Sequence, residues 1–465
     1  MVSFTSFDLF IIFLFFVILQ AIGFIPGKKE TDTAEGFLLS GRKVGLILFI
    51  LTNVATWYGG ILGVGEFTYR YGLLSWFTQG LPYYIFAVIF AIFFSSKIRE
   101  ASLFTIPDKL ESAYGKTAAS VSAVLLFILV SPAPYLFMVA SLLSIVLKIN
   151  FLWCLLISAF LSASYLFRGG YKSYIYADAF QFFVMFGGFI LILAAAAMNL
   201  GSMQYLRQNL PAGHLSVSGG ASYTYIMVWF LIALWTFTDP GFHQRCYAAR
   251  DGKVARNGIL ISVLFWALFD FLTTGVGLYS RAAIPGLQNP VLSYPLLAEK
   301  LLGSGLKGIF YAAMFATILS TSNSFFFLSA TTISNDFLAR HNPVNKDPKN
   351  IRHYTYLGII LTGIMSVAIS YFIPSVIDMW YTIGTICIPG IIFLVISAYY
   401  PRLRIGKKAA LIEITAAFGM SVTWFFIRHW FQDNFILSQL EPMVIGLFAA
   451  AGIHTAGLMR FRKQI

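Results

Sequence analysis

Apolar residues in this chain gather in long runs, and short polar clusters punctuate them. Neither the strict alternation of a half-buried strand nor the one-sided stripe of a surface helix dominates. A membrane-crossing helix needs about 20 mostly apolar residues at 1.5 Å rise each. The runs predict thirteen such spans, over 7–26, 44–66, 74–95, 118–148, 151–168, 176–199, 223–247, 257–282, 305–335, 353–374, 377–399, 408–430 and 440–459. The first run does not read as a cleaved leader. No Lys or Arg precedes it, Asp8 lies within it, and Lys28-Lys29 follows it.

Composition agrees with that pattern. The chain has 465 residues, 58% hydrophobic and 11% charged, where a soluble domain carries about 25% charge. With 47 Phe and 24 Tyr it is no solvated coil either. Net charge is +13, yet no basic run exceeds two adjacent residues, so nucleic acid is not an expected partner. Sorted by the predicted spans, the charge reports orientation. With the N-terminus outside and the C-terminus cytoplasmic, 25 of the 32 Lys and Arg fall on the cytoplasmic side, as the positive-inside rule requires of a plasma-membrane protein. Cys154, Cys246 and Cys387 lie far apart in or beside apolar runs, which excludes a disulfide framework or zinc spacing. The six His are expected at ends and loops, Glu413 and Asp378 near the interfaces, and Glu66 at an outer gate. There is no phosphate-binding GxxxxGK[ST] loop and no room for a large soluble domain.

Function in a helical bundle gathers where helices break, because freed backbone groups must face protein, water or a ligand. The second span carries Gly59-Gly60 at its centre, and the seventh carries Thr238-Asp239-Pro240-Gly241. Ser131-Pro132 in the fourth and Pro389-Gly390 in the eleventh are further candidate breaks. Broken helices five spans apart are the sign of an inverted-repeat transporter, with spans 2–6 and 7–11 as the repeats. A single membrane domain then divides into a leading helix and loop (1–43), a first repeat (44–199), a second repeat (200–400) and two C-terminal helices (401–465). The ninth span reads Ser320-Thr321-Ser322-Asn323-Ser324 at membrane depth. Ser320 and Ser324 share one face, as do Thr317 and Thr321. An uncharged hydroxyl cluster suits a hard monovalent cation, with carbonyls at a helix break completing the shell; packing of helices through small residues is the structural alternative.

Together these motifs resemble the sodium:solute symporter family. Gly36-Phe37-Leu38-Leu39-Ser40-Gly41-Arg42, Ala55-Thr56-Trp57 with Gly59-Gly60, and Thr105-Ile106-Pro107-Asp108-Lys109-Leu110-Glu111 through Gly115 are similar to its segments. So are Gly169-Gly170-Tyr171-Lys172 with Asp178 and Gln181, Pro240 with Arg245, and Ser320-Thr321. Ala113 and Ala177 depart from the family's usual Arg and Thr. The resemblance implies an all-α, leucine-transporter-type (APC-like) fold of 13 transmembrane helices, a 5+5 inverted repeat with one helix in front and two behind. It implies a Na+ site formed by the carbonyls of Ala55, Tyr58 and Thr317 and the hydroxyls of Ser320 and Thr321. Some members add a second sodium, for which Asp178 and Ser324 stand in place here, although Asn323 replaces the usual Ser. The structural alternative for Asp178 is a helix cap or a pair with Arg168 or Lys172.

The small-molecule solute is expected at mid-membrane, between the broken spans. Candidate wall residues are Trp57, Gly59, Gly60, Gln79, Tyr135, Trp235, Thr238, Asp239 and Tyr381. Asp239 stands out because an acid inside a membrane is costly. Asp270 is the second such acid, either a satisfied structural group or a proton or gating group. By this topology no Lys or Arg lies at mid-depth, which favours a neutral, zwitterionic or cationic solute, such as a sugar or polyol, an amino acid or a vitamin-like compound. The expected function is sodium-coupled symport by alternating access in the lipid bilayer, with no catalysis and no obligate protein partner. Proton-coupled symport through Asp270 or Asp178 and a non-transporting solute sensor are the rivals.

Overall fold

The computed structural model describes residues 2–25, 33–341, 348–373, 376–431 and 440–462. Lys28, Lys29, Lys346 and Lys463, four of the charges used to orient the chain, lie outside the described residues, as do the ends of the predicted first and tenth spans. Twelve helices are long and apolar enough to cross a membrane, and Leu46–Tyr58 with Ile61–Tyr71 forms a thirteenth span bent by 56° at its break. The ninth span, Leu306–Ala339, runs through the middle of the bundle, with 94% of its membrane window buried. The first, sixth, tenth, twelfth and thirteenth leave most of their surface open, as lipid-facing helices do.

The breaks follow from sequence. In the second span Leu46–Ala55 gives way to a single 3-10 turn, Thr56–Tyr58, before the helix resumes at Ile61. In the seventh, Tyr223–Ile232 tightens into a 3-10 turn, Ala233–Phe237, and Asp239 then caps a new helix, Pro240–Ala248. Pro at the first helical position has no N–H to lose, and Asp239 accepts the Phe242 amide at 2.7 Å. The fourth span, Lys116–Leu147, is interrupted at Ser131-Pro132.

Two breaks depart from expectation. Pro389-Gly390 does not interrupt the eleventh span, and a single helix, Val376–Ala398, continues through Pro389. The third span, Leu74–Ala101, is interrupted instead, at Gly80 and by a π turn at Ala91–Ser95. In the sequence Gly80, with Pro82 two residues on, marks the first of these positions.

The motifs outside the membrane runs tie helix ends together. Arg42 reaches the carbonyls of Tyr247 at 3.2 Å and Ser102 at 3.0 Å and pairs with Glu35. Gly170 has φ +54°, and a Cβ there would lie 2.4 Å from the Phe37 carbonyl, so only glycine lets the two segments meet. Thr105 caps Ile106–Tyr114 in a reciprocal box with Asp108. From that helix Asp108 and Glu111 pair with the buried Arg340 at the end of the ninth span, which also binds Asp336 at 2.9 Å.

Candidate functional site

The ninth span packs along the sixth span and against the 3-10 turn of the second. The Ser320 hydroxyl lies 2.7 Å from the Ala55 carbonyl and 3.0 Å from the Thr317 carbonyl. The Thr321 hydroxyl donates to the Thr56 carbonyl at 2.6 Å. Gly59 makes the approach possible, because a Cβ there would lie 2.3 Å from Thr321. Four of the five residues expected to hold sodium therefore meet across one seam. Tyr58 sits in the same turn, but its ring turns away and its hydroxyl donates to the Trp266 carbonyl at 2.7 Å. The oxygens gathered here are neutral carbonyls and hydroxyls. Among the described residues no group of three His, Cys, Asp or Glu converges as a transition-metal site would require.

Asp178 lies two turns inside the sixth span, which starts at Tyr171, so it caps nothing. It is fully buried and accepts the hydroxyls of Thr52 at 2.5 Å and Thr56 at 3.1 Å; its other oxygen has no partner. Ser324 Oγ and Asn323 Oδ1 are buried without partners as well, while the Asn323 amide donates to the Tyr165 hydroxyl.

The expectation that no Lys or Arg penetrates the bundle is overturned. Arg245 is 3% exposed and donates to Thr56 Oγ1 at 2.5 Å, at the break of the second span. It sits in the short helix after the seventh-span break, and a side chain six atoms long carries its charge far from its own backbone. Thr56 thus bridges Arg245 to Asp178.

A cavity of about 180 Å³ opens beside this seam. Of the residues proposed for the solute, Trp57, Gly60, Gln79, Tyr135, Trp235, Asp239 and Tyr381 line it. Gly59 and Thr238 do not; Gly59 faces Thr321, and Thr238 Oγ1 bonds back to the Trp235 carbonyl at 3.2 Å. Asp239 is committed to structure, since Trp235 Nε1 donates to it at 2.6 Å in addition to the Phe242 amide. The lining also holds residues that were not singled out, among them Val64, Tyr83, Trp229, Phe325 and Trp380, and it includes Asp270. Two of these were within reach of the sequence. Val64 and Phe325 stand four residues after Gly60 and Thr321 and so share their helix faces. Trp380 had no such signal; it is the ring that Gly60 admits, since a Cβ there would lie 2.0 Å from it.

Other polar groups are more buried than expected. Glu413 is fully buried and bonded to His454 at 2.8 Å, so neither is solvated. His243 is buried and reaches the Phe237 carbonyl at 3.1 Å, and the His214 ring is covered and reaches the Tyr69 carbonyl of the second span at 3.3 Å. In each case a neighbouring helix or loop supplies the polar partner that water was expected to supply. Glu66 pairs with Arg70 at 2.8 Å. The side chain of Asp378 lies outside the described residues.

Comparison with known proteins follows the same lines. The model of the sodium:solute symporter family matches residues 37–415. A high-affinity choline transporter 1 of Caenorhabditis elegans is 25% identical over 403 residues, covering 79% of this chain and 69% of its own. A sodium/proline symporter 2 of Staphylococcus saprophyticus is 22% identical over 484 residues, covering 97% and 92%. Among solved structures, a substrate-bound, outward-open Na+-coupled sialic acid symporter matches with a TM-score of 0.83 at 15% identity, covering 98% of both chains. Mhp1, a nucleobase-cation-symport-1 family transporter, matches with a TM-score of 0.57 at 13% identity over 93% of this chain and 95% of its own. At such identities the likeness speaks for the fold, which is the leucine-transporter type.

Proposed function

The chain belongs to the sodium:solute symporter family, and from that premise we propose how its residues hold ion and solute. It is an integral membrane transporter that carries small solutes with sodium by alternating access. Our proposal is that sodium sits at the seam of the second and ninth spans, on the carbonyls of Ala55, Tyr58 and Thr317 and the hydroxyls of Ser320 and Thr321. One observation carries it: two hydroxyls of the ninth span reach two carbonyls at the 3-10 turn, at 2.7 Å and 2.6 Å. Hydroxyls that now donate to those carbonyls can rotate to present oxygen to a cation on the same seam. Sodium there draws the two spans together and completes the wall of the cavity, which couples ion to solute.

The solute occupies the cavity lined by Trp57, Gln79, Tyr135, Trp235 and Tyr381. No Lys or Arg stands among the described residues that line it, which supports a neutral, zwitterionic or cationic organic solute. Choline and proline, named for two of the relatives, both carry a positive nitrogen. We place one sodium, not two. Asp178 and Ser324 could complete a second site, but Arg245 already brings positive charge to Asp178 through Thr56.

The repeats at 44–199 and 200–400 move against each other, with the N-terminus outside and the C-terminus cytoplasmic. Uptake of labelled solute into proteoliposomes, driven by an inward sodium gradient, tests the whole scheme. Uptake that ignores sodium and follows an imposed pH gradient would overturn it in favour of proton coupling.

A further inference from the structure

The cavity holds two acids, and they differ in one respect. Asp239 spends both oxygens on its own element, through Trp235 and the Phe242 amide, with Arg245 close behind it at Gly241. Asp270 has no such commitments. It projects from the eighth span, Gly252–Ala283, and is 7% exposed. The Tyr84 hydroxyl donates to it, and the Tyr58 hydroxyl lies near. No Lys, Arg or His among the described residues pairs with it. Gly80 lets the third span pack closely against it, since a Cβ at Gly80 would lie 2.8 Å from Asp270 Oδ2. The third-span break thus brings the backbone close against this carboxylate, which itself lines the cavity.

A carboxylate at membrane depth with no protein countercharge is costly, and such groups pair with what passes through. The walls around it suit an organic cation. Trp57, Tyr135, Trp229, Trp235 and Trp380 line the cavity, and their ring faces attract ammonium groups most strongly when water is excluded. A second unmet demand lies beside the first. Gln79 precedes Gly80, lines the cavity, and its buried amide nitrogen has no partner. A solute that satisfies both groups brings a positive charge and an oxygen acceptor.

That acceptor is uncharged. A carboxylate on the solute would meet Asp270, Asp239 and neutral donors only. The nearest bases are already taken: Arg245 by Thr56, and Arg428, near Tyr381, by Glu441 at 2.6 Å. We propose that the solute is a monocation with an uncharged oxygen acceptor, of the amino-alcohol or alkylammonium-alcohol class, its cationic group set against Asp270 and its oxygen taken by Gln79. This rests on the same cavity being the transport site, and it separates two solute types that the family relationship leaves together, a net cation and a zwitterion.

The tryptophans in the cavity supply the test. The purified full chain is titrated in saturating sodium with choline, dimethylethanolamine, tetramethylammonium, glycine betaine and proline, following tryptophan fluorescence. Choline and glycine betaine share a trimethylammonium head and differ in hydroxyl against carboxylate. Choline is expected to bind at least about tenfold more tightly than glycine betaine. Tetramethylammonium, lacking the oxygen, should fall between choline and no binding. Asp270→Asn should weaken choline at least about tenfold while the half-saturating sodium concentration stays unchanged. Tyr84→Phe should weaken it less, and size-exclusion profiles verify that both variants are folded. Equal binding of choline and glycine betaine overturns the proposal, as does tighter binding of proline, or failure of every cation in the panel to bind. So does an Asp270→Asn variant that shifts sodium and leaves choline untouched, which would make Asp270 part of the ion path. Failure of sodium-driven uptake in vesicles, with choline still held by Asp270, would instead fault the coupling scheme alone.

Discussion

Ser320 and Thr321 each make one bond that no other residue in the ninth span makes, to a carbonyl of the second span. Ser320→Ala and Thr321→Ala should each raise the sodium concentration for half-maximal uptake by about tenfold, the effect of ~1.4 kcal/mol. The amount of protein in the membrane should not change, because alanine fits both positions. A sodium activation curve unchanged from that of the parent chain in either variant, measured in vesicles, would remove that residue from the site. Gly59→Ala is a harsher test, since its Cβ would lie 2.3 Å from Thr321 and 2.7 Å from Tyr135. It should abolish sodium-dependent uptake, and Gly60→Ala should do so by striking Trp380 instead. At this scale the sequence was informative wherever chemistry was unusual for its surroundings. A hydroxyl run and lone acids stand out in an apolar chain. Arg245 did not stand out, because its number placed it at a span end, and only the fold shows how far inward its side chain reaches. The aromatic walls were equally hidden, because one residue in six is aromatic and a wall Trp resembles a packing Trp.

Between helices, the same logic governs the ends of the bundle. Arg340 holds Asp108 and Glu111 of one helix and Asp336 of its own, with its side chain only 2% exposed. Removing one member of a buried ionic group leaves its partners uncompensated, at roughly 3–5 kcal/mol. Arg340→Gln should therefore free the helix Ile106–Tyr114 from the ninth span and raise accessibility at that end of the bundle. Cysteine labelling at nearby positions would measure it; unaltered labelling would show that the clamp does not hold this end shut. On another connection, the loop around His214 docks on the second span. The Leu73 amide donates to the His214 carbonyl at 2.8 Å, and the ring reaches the Tyr69 carbonyl at 3.3 Å. Burial, with Arg281 adding to it, holds the His214 pKa below 6.5. The folded loop thus binds its proton less readily than the released loop. Docking is at full strength above about pH 6.5 and weakens as pH falls through and below that value. Hydrogen exchange across 211–219, corrected for intrinsic rates, should show this loss, and His214→Gln should erase its pH dependence. Helix breaks were legible where Pro, Gly and an acid coincide, as at Asp239-Pro240. They were not where a neighbour decides. Pro389 stays inside a continuous helix, and Gly80 gains its importance from its close approach to Asp270.

For the molecule as a whole, the arrangement of charge makes one claim that the fold itself leaves open, namely which way the bundle faces. An odd number of spans puts the two termini on opposite sides, and 25 of 32 basic residues then fall on one side. Adding or removing one span would invert every loop beyond the change and destroy that asymmetry, so span count and charge test each other. The thirteen spans survive as twelve helices and one bent pair, although four of the orienting charges, Lys28, Lys29, Lys346 and Lys463, lie outside the described residues. The native cysteines suit a labelling experiment, because Cys154, Cys246 and Cys387 are all buried and stay silent toward a membrane-impermeant maleimide. Arg207→Cys and Lys253→Cys place thiols at exposed positions on opposite predicted faces. In intact cells Arg207→Cys should label and Lys253→Cys should label only after permeabilisation. The reverse pattern would turn the bundle over, and with it the direction in which a sodium gradient drives the solute. Labelling of both in intact cells would break the span count between them, although the seventh span and its Asp239-Pro240 break lie on that stretch.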